Sequence, residues 1–377
     1  MISKVKQFLE ESFLFEFDDE VTDHSDLFKL GIIDSLGYIK LIKFLEREFH
    51  IEFSEEDFMS NVLVSFSSIV DYLEAALKEP QNIALLFPGQ GAHDFNMLDR
   101  VSNLHGFKER HETICDHLGE NLYQKLYKKD RDYIDQNKIS SILTVLASSV
   151  LFDHYLDETE AKAHYYAGYS VGQWTALFAA KSISFEQLIQ VLIKRAQMMD
   201  ECFEKNKGAM MAVIGLKQNV VEDYLAQFRE QGHFIEISNF NCVGQLSVSG
   251  TKKAIELAYE NIASIQPKKS VILPIQGAWH CALLEPAQKS FEAYLQDVDI
   301  KLPQIEVVDN CTGLFLPDNV EGIKESLCRH ISHPVLWEKG MKHLIAHDCK
   351  EFVEVGHGNL LTNFGFFIDR HLDHKSF

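Results

Sequence analysis

Between His164 and Gly172 the chain reads His-Tyr-Tyr-Ala-Gly-Tyr-Ser-Val-Gly, a serine centred in G-x-S-x-G behind a short apolar run. Residues 173–181 have helical character, so the pattern is strand, sharp turn, helix. Such a turn lifts the serine hydroxyl off the end of a sheet. Glycines flank it because side chains there would collide with the tight backbone. The helix that follows points its positive end at the hydroxyl and favours negative charge developing there. Ser170 is therefore a candidate nucleophile. A serine hydroxyl also needs a nearby base, and with seventeen histidines in the chain spacing alone does not choose one.

The elements around this turn follow from hydrophobic patterning. Ile83-Ala84-Leu85-Leu86-Phe87 is an apolar run closed by Pro88-Gly89-Gln90-Gly91, the signature of a buried strand opening into a glycine-rich loop. Strands and helices then alternate. Over 208–275 the order is strand (210–214), helix (220–231), two strands (234–237 and 245–249), helix (252–265) and strand, which predicts an inserted ferredoxin-like sandwich. Residues 1–78 read as helices with polar loops. From Ser35, the residues Leu36, Ile39, Ile42, Leu45 and Phe49 recur every three or four positions and predict an apolar stripe facing a core. Ser67 and Ser68 are candidate caps for a last helix with Ile69, Val70, Leu73 and Leu77. The polar run Lys78-Glu79-Pro80-Gln81-Asn82 ends that helix and marks a domain boundary.

Composition narrows the function classes. With 377 residues and 46% apolar content the chain can fill two or three compact units. Its net charge of -20 repels nucleic acid and anionic membranes. Residues 1–78 hold 7 basic against 17 acidic side chains, a net of -10, which suits docking onto basic partner surfaces as well as solvation. The cysteines at 115, 202, 242, 281, 311, 328 and 349 show no CxxC spacing, so reduced thiols are expected rather than disulfides or a metal site. No charged-then-apolar leader and no uninterrupted apolar run near eighteen residues is seen, and a cytoplasmic location is the expectation.

Several blocks, in order, carry a resemblance over residues 83 to about 366. They are Phe87-Pro88-Gly89-Gln90-Gly91, Gly168 to Gly172, Lys194-Arg195-Ala196-Gln197-Met198-Met199, Asn239-Phe240-Asn241 with Gly244-Gln245, Gly277-Ala278-Trp279-His280, and Glu354-Val355-Gly356-His357-Gly358. Together they resemble the malonyl-coenzyme A:acyl carrier protein transacylases, including the acyltransferases that serve polyketide synthases. The resemblance implies Ser170 as nucleophile and His280 as base, the latter oriented by the backbone carbonyl of His330. It implies an oxyanion hole from the amides of Gln90 and Val171, and Arg195 as the grip on a malonyl carboxylate. Asn241 matches a further active-site position. Tyr169 replaces the family's usual histidine, Trp279 a phenylalanine or small residue, and His357 a proline; Tyr169 and Trp279 are expected to shape the acyl pocket.

The N-terminal residues, centred on Leu30-Gly31-Ile32-Ile33-Asp34-Ser35-Leu36, resemble acyl carrier proteins. That implies 4'-phosphopantetheine on Ser35. The expected fold is a small all-α four-helix carrier domain (1–78) followed by an α/β acyltransferase (83–377). The latter has a hydrolase-like parallel-sheet subdomain (83–207 and 276–377) and a ferredoxin-like one (208–275). The expected activity is ping-pong transfer of malonyl from malonyl-CoA through Ser170 to a carrier thiol, with the chain's own or a separate carrier domain and a ketosynthase or other synthase enzymes as partners. Two rivals stand beside it: a hydrolase that clears loaded carriers, and a carrier and docking module whose acyltransferase half is inactive.

Overall fold

The apolar residues gather into separate cores on either side of a division between Gln81 and Asn82. The computed structural model describes residues 1–49, 51, 53, 63–77, 82–159, 162–205, 207–275 and 277–377. Of the expected boundary run 78–82, residues 78–81 lie outside the described residues, as does the subdomain junction at 276, while Asn82 opens the first strand of the second unit.

In the first unit three helices are described: α1 (Ile2–Phe13), α2 (Ser35–Phe49) and α3 (Phe66–Ala76). Four were expected, and residues 54–62 lie outside the described residues. The core is Val5 and Leu9 of α1, Tyr38, Leu41, Ile42 and Leu45 of α2, and Ile69 and Leu73 of α3. This corrects the expected stripe on α2: Leu36 is 76% and Ile39 47% exposed. The buried set 38, 41, 42, 45 keeps the helical spacing but is turned to a different face from 36 and 39. The cap of α3 also differs, because Ser65 and Ser68 exchange backbone-to-hydroxyl bonds of 3.0 and 3.1 Å, which puts Ser67 and Ser68 inside the first turn.

The second unit runs β1 (Asn82–Phe87), α4 (Phe107–Leu118), α5 (Asn137–Glu158), β2 (Tyr165–Gly168), α6 (Gly172–Ala179) and α7 (Phe185–Lys205). There follow β3 (Gly208–Ile214), α8 (Gln218–Glu230), β4 (Ile235–Cys242), β5 (Gln245–Thr251), α9 (Lys252–Asn261) and β6 (Lys269–Ile272). The chain closes with α10 (Glu285–Gln296), β7 (Glu306–Val308), α11 (Val320–Arg329), α12 (Trp337–Ala346), β8 (Cys349–Glu354), α13 (Leu360–Ile368) and β9 (Asp373–Ser376). Strands β7-β2-β1-β8-β9 form an all-parallel sheet. Its central strand β1 is buried on both faces, which is why its sequence is a continuous apolar run. The loops after β1, β2, β7 and β8 all leave the carboxyl edge of this sheet, where ligands bind in open α/β folds.

The insert pairs its strands antiparallel in the order β4-β5-β3-β6, with the β-α-β-β-α-β sequence of a ferredoxin-like unit. By length and composition α5 is apolar enough to cross a membrane, yet 83% of its apolar window is buried inside the fold. It is the core helix. Phe152 of α5 packs edge-on against Phe87 and Tyr166, with ring centroids 5.9 and 5.8 Å apart. Phe152→Ala is expected to cost about 3–5 kcal/mol of stability, read as a lower urea midpoint with the transition slope unchanged.

Candidate active site

Ser170 stands between the end of β2 and the start of α6 with φ at 53°, in the left-handed region that a side-chain-bearing residue seldom occupies. The flanking glycines make this turn sterically feasible. A Cβ on Gly168 would sit 2.0 Å from the Gly172 carbonyl oxygen, and one on Gly172 would sit 2.1 Å from that of Phe87. Asn310, just past β7, ties the turn down: its Oδ1 accepts the Ser170 N–H at 2.9 Å and its Nδ2 donates to the Gly168 carbonyl at 2.7 Å. Its own N–H donates to Gln173 Oε1 at 3.2 Å. The sequence reading missed Asn310. Its signal was positional, an asparagine at the carboxyl end of a strand that neighbours β2 in the sheet.

The Ser170 hydroxyl lies 2.7 Å from His280 Nε2, and His280 Nδ1 lies 2.8 Å from the His330 carbonyl oxygen. The carbonyl can only accept, so it fixes the Nδ1–H tautomer and leaves Nε2 free to take a proton. His280 is 3% exposed. Burial, then the charge of Arg195, lower its pKa to about 3, against the opposing effect of the bond to His330. The His330 side chain, to which the sequence reading assigned no role, stacks on the His280 ring at 4.9 Å and 20°. Neither of its ring nitrogens has a hydrogen-bond partner among the described residues. Burial and then the charges of His280 and Arg195 hold it well below the ordinary histidine range.

The main-chain N–H groups of Gln90 and Val171 donate to no group among the described residues. Gln90 is anchored instead through its side chain, whose Nε2 reaches Ser140 Oγ at 2.7 Å and Asn137 Oδ1 at 3.1 Å. The hydroxyl and imidazole open onto a cavity of about 1010 Å³ whose lining includes Gln90, Tyr169, Asn241, Trp279, Met210 and Asp200. Arg195 is not one of the lining residues. It is 2% exposed, and no described residue bonds or ion-pairs its guanidinium. Burial lowers its pKa to about 10, partly offset by the charge of Asp200.

Tyr169 and Asn241 bond to each other inside the protein. The Tyr169 hydroxyl donates to Asn241 Oδ1 at 2.7 Å and accepts from Asn239 Nδ2 at 2.9 Å, and Asn241 Nδ2 reaches Ser247 Oγ at 3.3 Å. Both asparagines lie on β4 rather than in a loop. Trp279 is 9% exposed and forms part of the cavity wall. His357 faces Asp94 at 3.4 Å. In the first unit Ser35 begins α2 and is exposed. Asp34, not Ser35, caps the helix by accepting the Gly37 N–H at 2.7 Å, which leaves the Ser35 hydroxyl unbonded among the described residues and fit for modification. No group of three or more potential metal ligands occurs among the described residues.

Residues 15–73 match the family described as "Phosphopantetheine attachment site". The rest of the chain is similar to malonyl CoA-acyl carrier protein transacylases. That of Bacillus subtilis is 28% identical over 291 residues, covering 77% of this chain and 91% of that protein. A polyketide-biosynthesis transacylase of the same bacterium is 28% identical over 282 residues, covering 74% of this chain and 94% of that protein. Among solved structures, an acyl-carrier-protein S-malonyltransferase from Burkholderia pseudomallei aligns with a TM-score of 0.74 at 28% identity, covering 78% of this chain and 95% of that one. A malonyl-transacylase solved in complex with its type II polyketide acyl carrier protein aligns at 0.73 and 26%, covering 78% and 94%.

Asn310→Ala leaves the Ser170 N–H and the Gly168 carbonyl without partners. The expected outcome is a stability loss of about 1–3 kcal/mol, read in urea unfolding, with slower labelling of Ser170 by a fluorophosphonate.

Proposed function

We propose that this chain, a phosphopantetheine-attachment domain joined to a region homologous with malonyl-CoA:acyl carrier protein transacylases, moves malonyl groups from malonyl-CoA to the thiol of an acyl carrier. One observation carries the choice of acyl group: Arg195 is a buried cation with five donors and no acceptor. A buried charge left unpaired is costly. A substrate carboxylate would complete it, reaching the guanidinium as the cavity lining gives way.

The steps follow from the geometry. His280 Nε2 takes the Ser170 proton as Oγ attacks the thioester carbon. The oxyanion that forms is met by the Gln90 and Val171 amides, which have no other partner among the described residues. His280 then returns the proton to the departing coenzyme A thiolate, leaving malonyl esterified to Ser170. An acceptor thiol gives its proton to His280, attacks the ester and releases Ser170, which regains the proton. Ser35 is the proposed attachment point of phosphopantetheine, whose terminal thiol carries acyl groups as thioesters. The acceptor is a carrier domain, this chain's own or a separate one, feeding a ketosynthase or other synthase enzyme. The seven free cysteines suit a reducing, cytoplasmic setting.

Intact-protein mass spectrometry after exposure to malonyl-CoA tests the reading. Wild type should gain one malonyl group that survives in water and passes to a carrier thiol, and Ser170→Ala should gain none. Rapid loss to water would instead favour a hydrolase. Arg195→Ala should reduce the preference for malonyl over acetyl by about tenfold or more.

The pH profile follows from the lowered pKa of His280. The base works only when neutral, and a folded pKa near 3 keeps it neutral throughout the range in which an ordinary histidine titrates. The acid limb of kcat/KM, which reports the free enzyme, should therefore lie well below pH 6.5. A malonyl carboxylate on Arg195 offsets the charge that depresses His280, so the acid limb of kcat should fall at a higher pH than that of kcat/KM.

A further inference from the structure

The helix that holds Arg195 also brings a half-buried carboxylate to the cavity wall. Asp200, five residues further along α7, lines the cavity and accepts a hydrogen bond from Asn137 Nδ2 at 2.9 Å. Asn137 Oδ1 accepts in turn from Gln90 Nε2 at 3.1 Å. An asparagine amide can point either way round, whereas an ionised carboxylate only accepts. Asp200 therefore turns the Asn137 NH2 group towards itself and presents the Asn137 oxygen to Gln90. The carboxylate ends a hydrogen-bonded chain that reaches the loop bearing the Gln90 main-chain N–H.

Asp200 and Arg195 also act on each other without a direct ion pair. In each, burial is the larger influence and disfavours the charged form, and the partner's charge opposes it. A substrate carboxylate arriving at Arg195 meets a guanidinium whose field is already partly offset, with a like charge close by.

We infer that Asp200 is the resident counter-charge of the Arg195 subsite, moderating its hold on a substrate carboxylate, and through Asn137 a positioning residue for the Gln90 loop. The first role rests on the malonyl-transfer reading above; the second does not.

Two substitutions separate these roles. Asp200→Asn removes the charge but keeps an oxygen that can accept from Asn137, and Asp200→Ala removes both. In steady-state transfer from malonyl-CoA, Asp200→Asn is expected to lower KM by about threefold or more. Asp200→Ala is expected to lose about tenfold in kcat relative to Asp200→Asn. Fluorophosphonate labelling of Ser170, which uses the oxyanion loop but no acyl donor, should slow in Asp200→Ala and not in Asp200→Asn. A purely structural Asp200 would depress both variants alike without lowering KM. An unchanged malonyl-CoA KM in Asp200→Asn, with wild type active, overturns the counter-charge role alone. Equal labelling rates in the two variants overturn the positioning role. A wild type that takes no malonyl from coenzyme A overturns the transfer reading and the counter-charge role with it, while the labelling comparison still decides the other.

Discussion

The turn that carries Ser170 is a strained piece of backbone that three strand ends hold in place. Its φ of 53° is tolerated because everything around it removes the alternatives. The Phe87 carbonyl at the end of β1 accepts the Tyr169 N–H at 2.9 Å, and Asn310 beyond β7 grips the turn on both sides of Tyr169. Glycine at 168 and 172 lets α6 begin almost against the sheet. A hydroxyl placed this way needs little reorganisation to reach a base, and the adjacent Val171 N–H is left without a partner among the described residues because the chain has already turned into the helix.

Close to this turn lie two buried groups, His280 and Arg195, and Arg195 is a cation that no described side chain pairs directly. Burial alone would keep His280 neutral, and the Arg195 field pushes in the same direction. His330 has a part on each side of this balance. Its carbonyl stabilises a positive His280, whereas its unpartnered ring stacks on the imidazole in place of water. The base thus starts as a ready proton acceptor. In the proposed mechanism the cation it becomes is stabilised by negative charge developing on the substrate beside it, which would tie proton transfer energetically to oxyanion formation.

The parts of this site that lie in short contiguous runs were legible from sequence. The G-x-S-x-G turn, the loop at Gln90 and the alternation that builds the insert are local patterns, and their elements stand where periodicity placed them to within a few residues. The face of α2 was not legible, because 36, 39, 42, 45 and 38, 41, 42, 45 satisfy the same spacing and only the positions of α1 and α3 choose between them. Asn310 escaped notice for a different reason. It lies 140 residues from Ser170 in sequence, and nothing local distinguishes it from any loop asparagine until β7 pairs with β2. Asn241, expected at the active site, lines the cavity beside Ser170 and His280, with its amide engaged by Tyr169 and Ser247.

That engagement shows what the ferredoxin-like insert contributes. Asn239 and Asn241 of β4 clamp the hydroxyl of Tyr169, the residue just before the nucleophile, and the β4 backbone pairs with Val335 of the larger subdomain. From β5, Ser249 Oγ donates at 2.8 Å to the carbonyl of Trp279, the residue just before the base. The insert therefore holds the chain neighbours of both Ser170 and His280, and both of these neighbours, Tyr169 and Trp279, also line the cavity. The two residues that help to shape the pocket are thus also the chain neighbours of Ser170 and His280. If the cavity takes the acyl group as proposed, a substitution at Tyr169 that widens it would also remove the hydroxyl that Asn239 and Asn241 hold beside Ser170, so selectivity there would be constrained by the geometry of proton transfer as well as by volume.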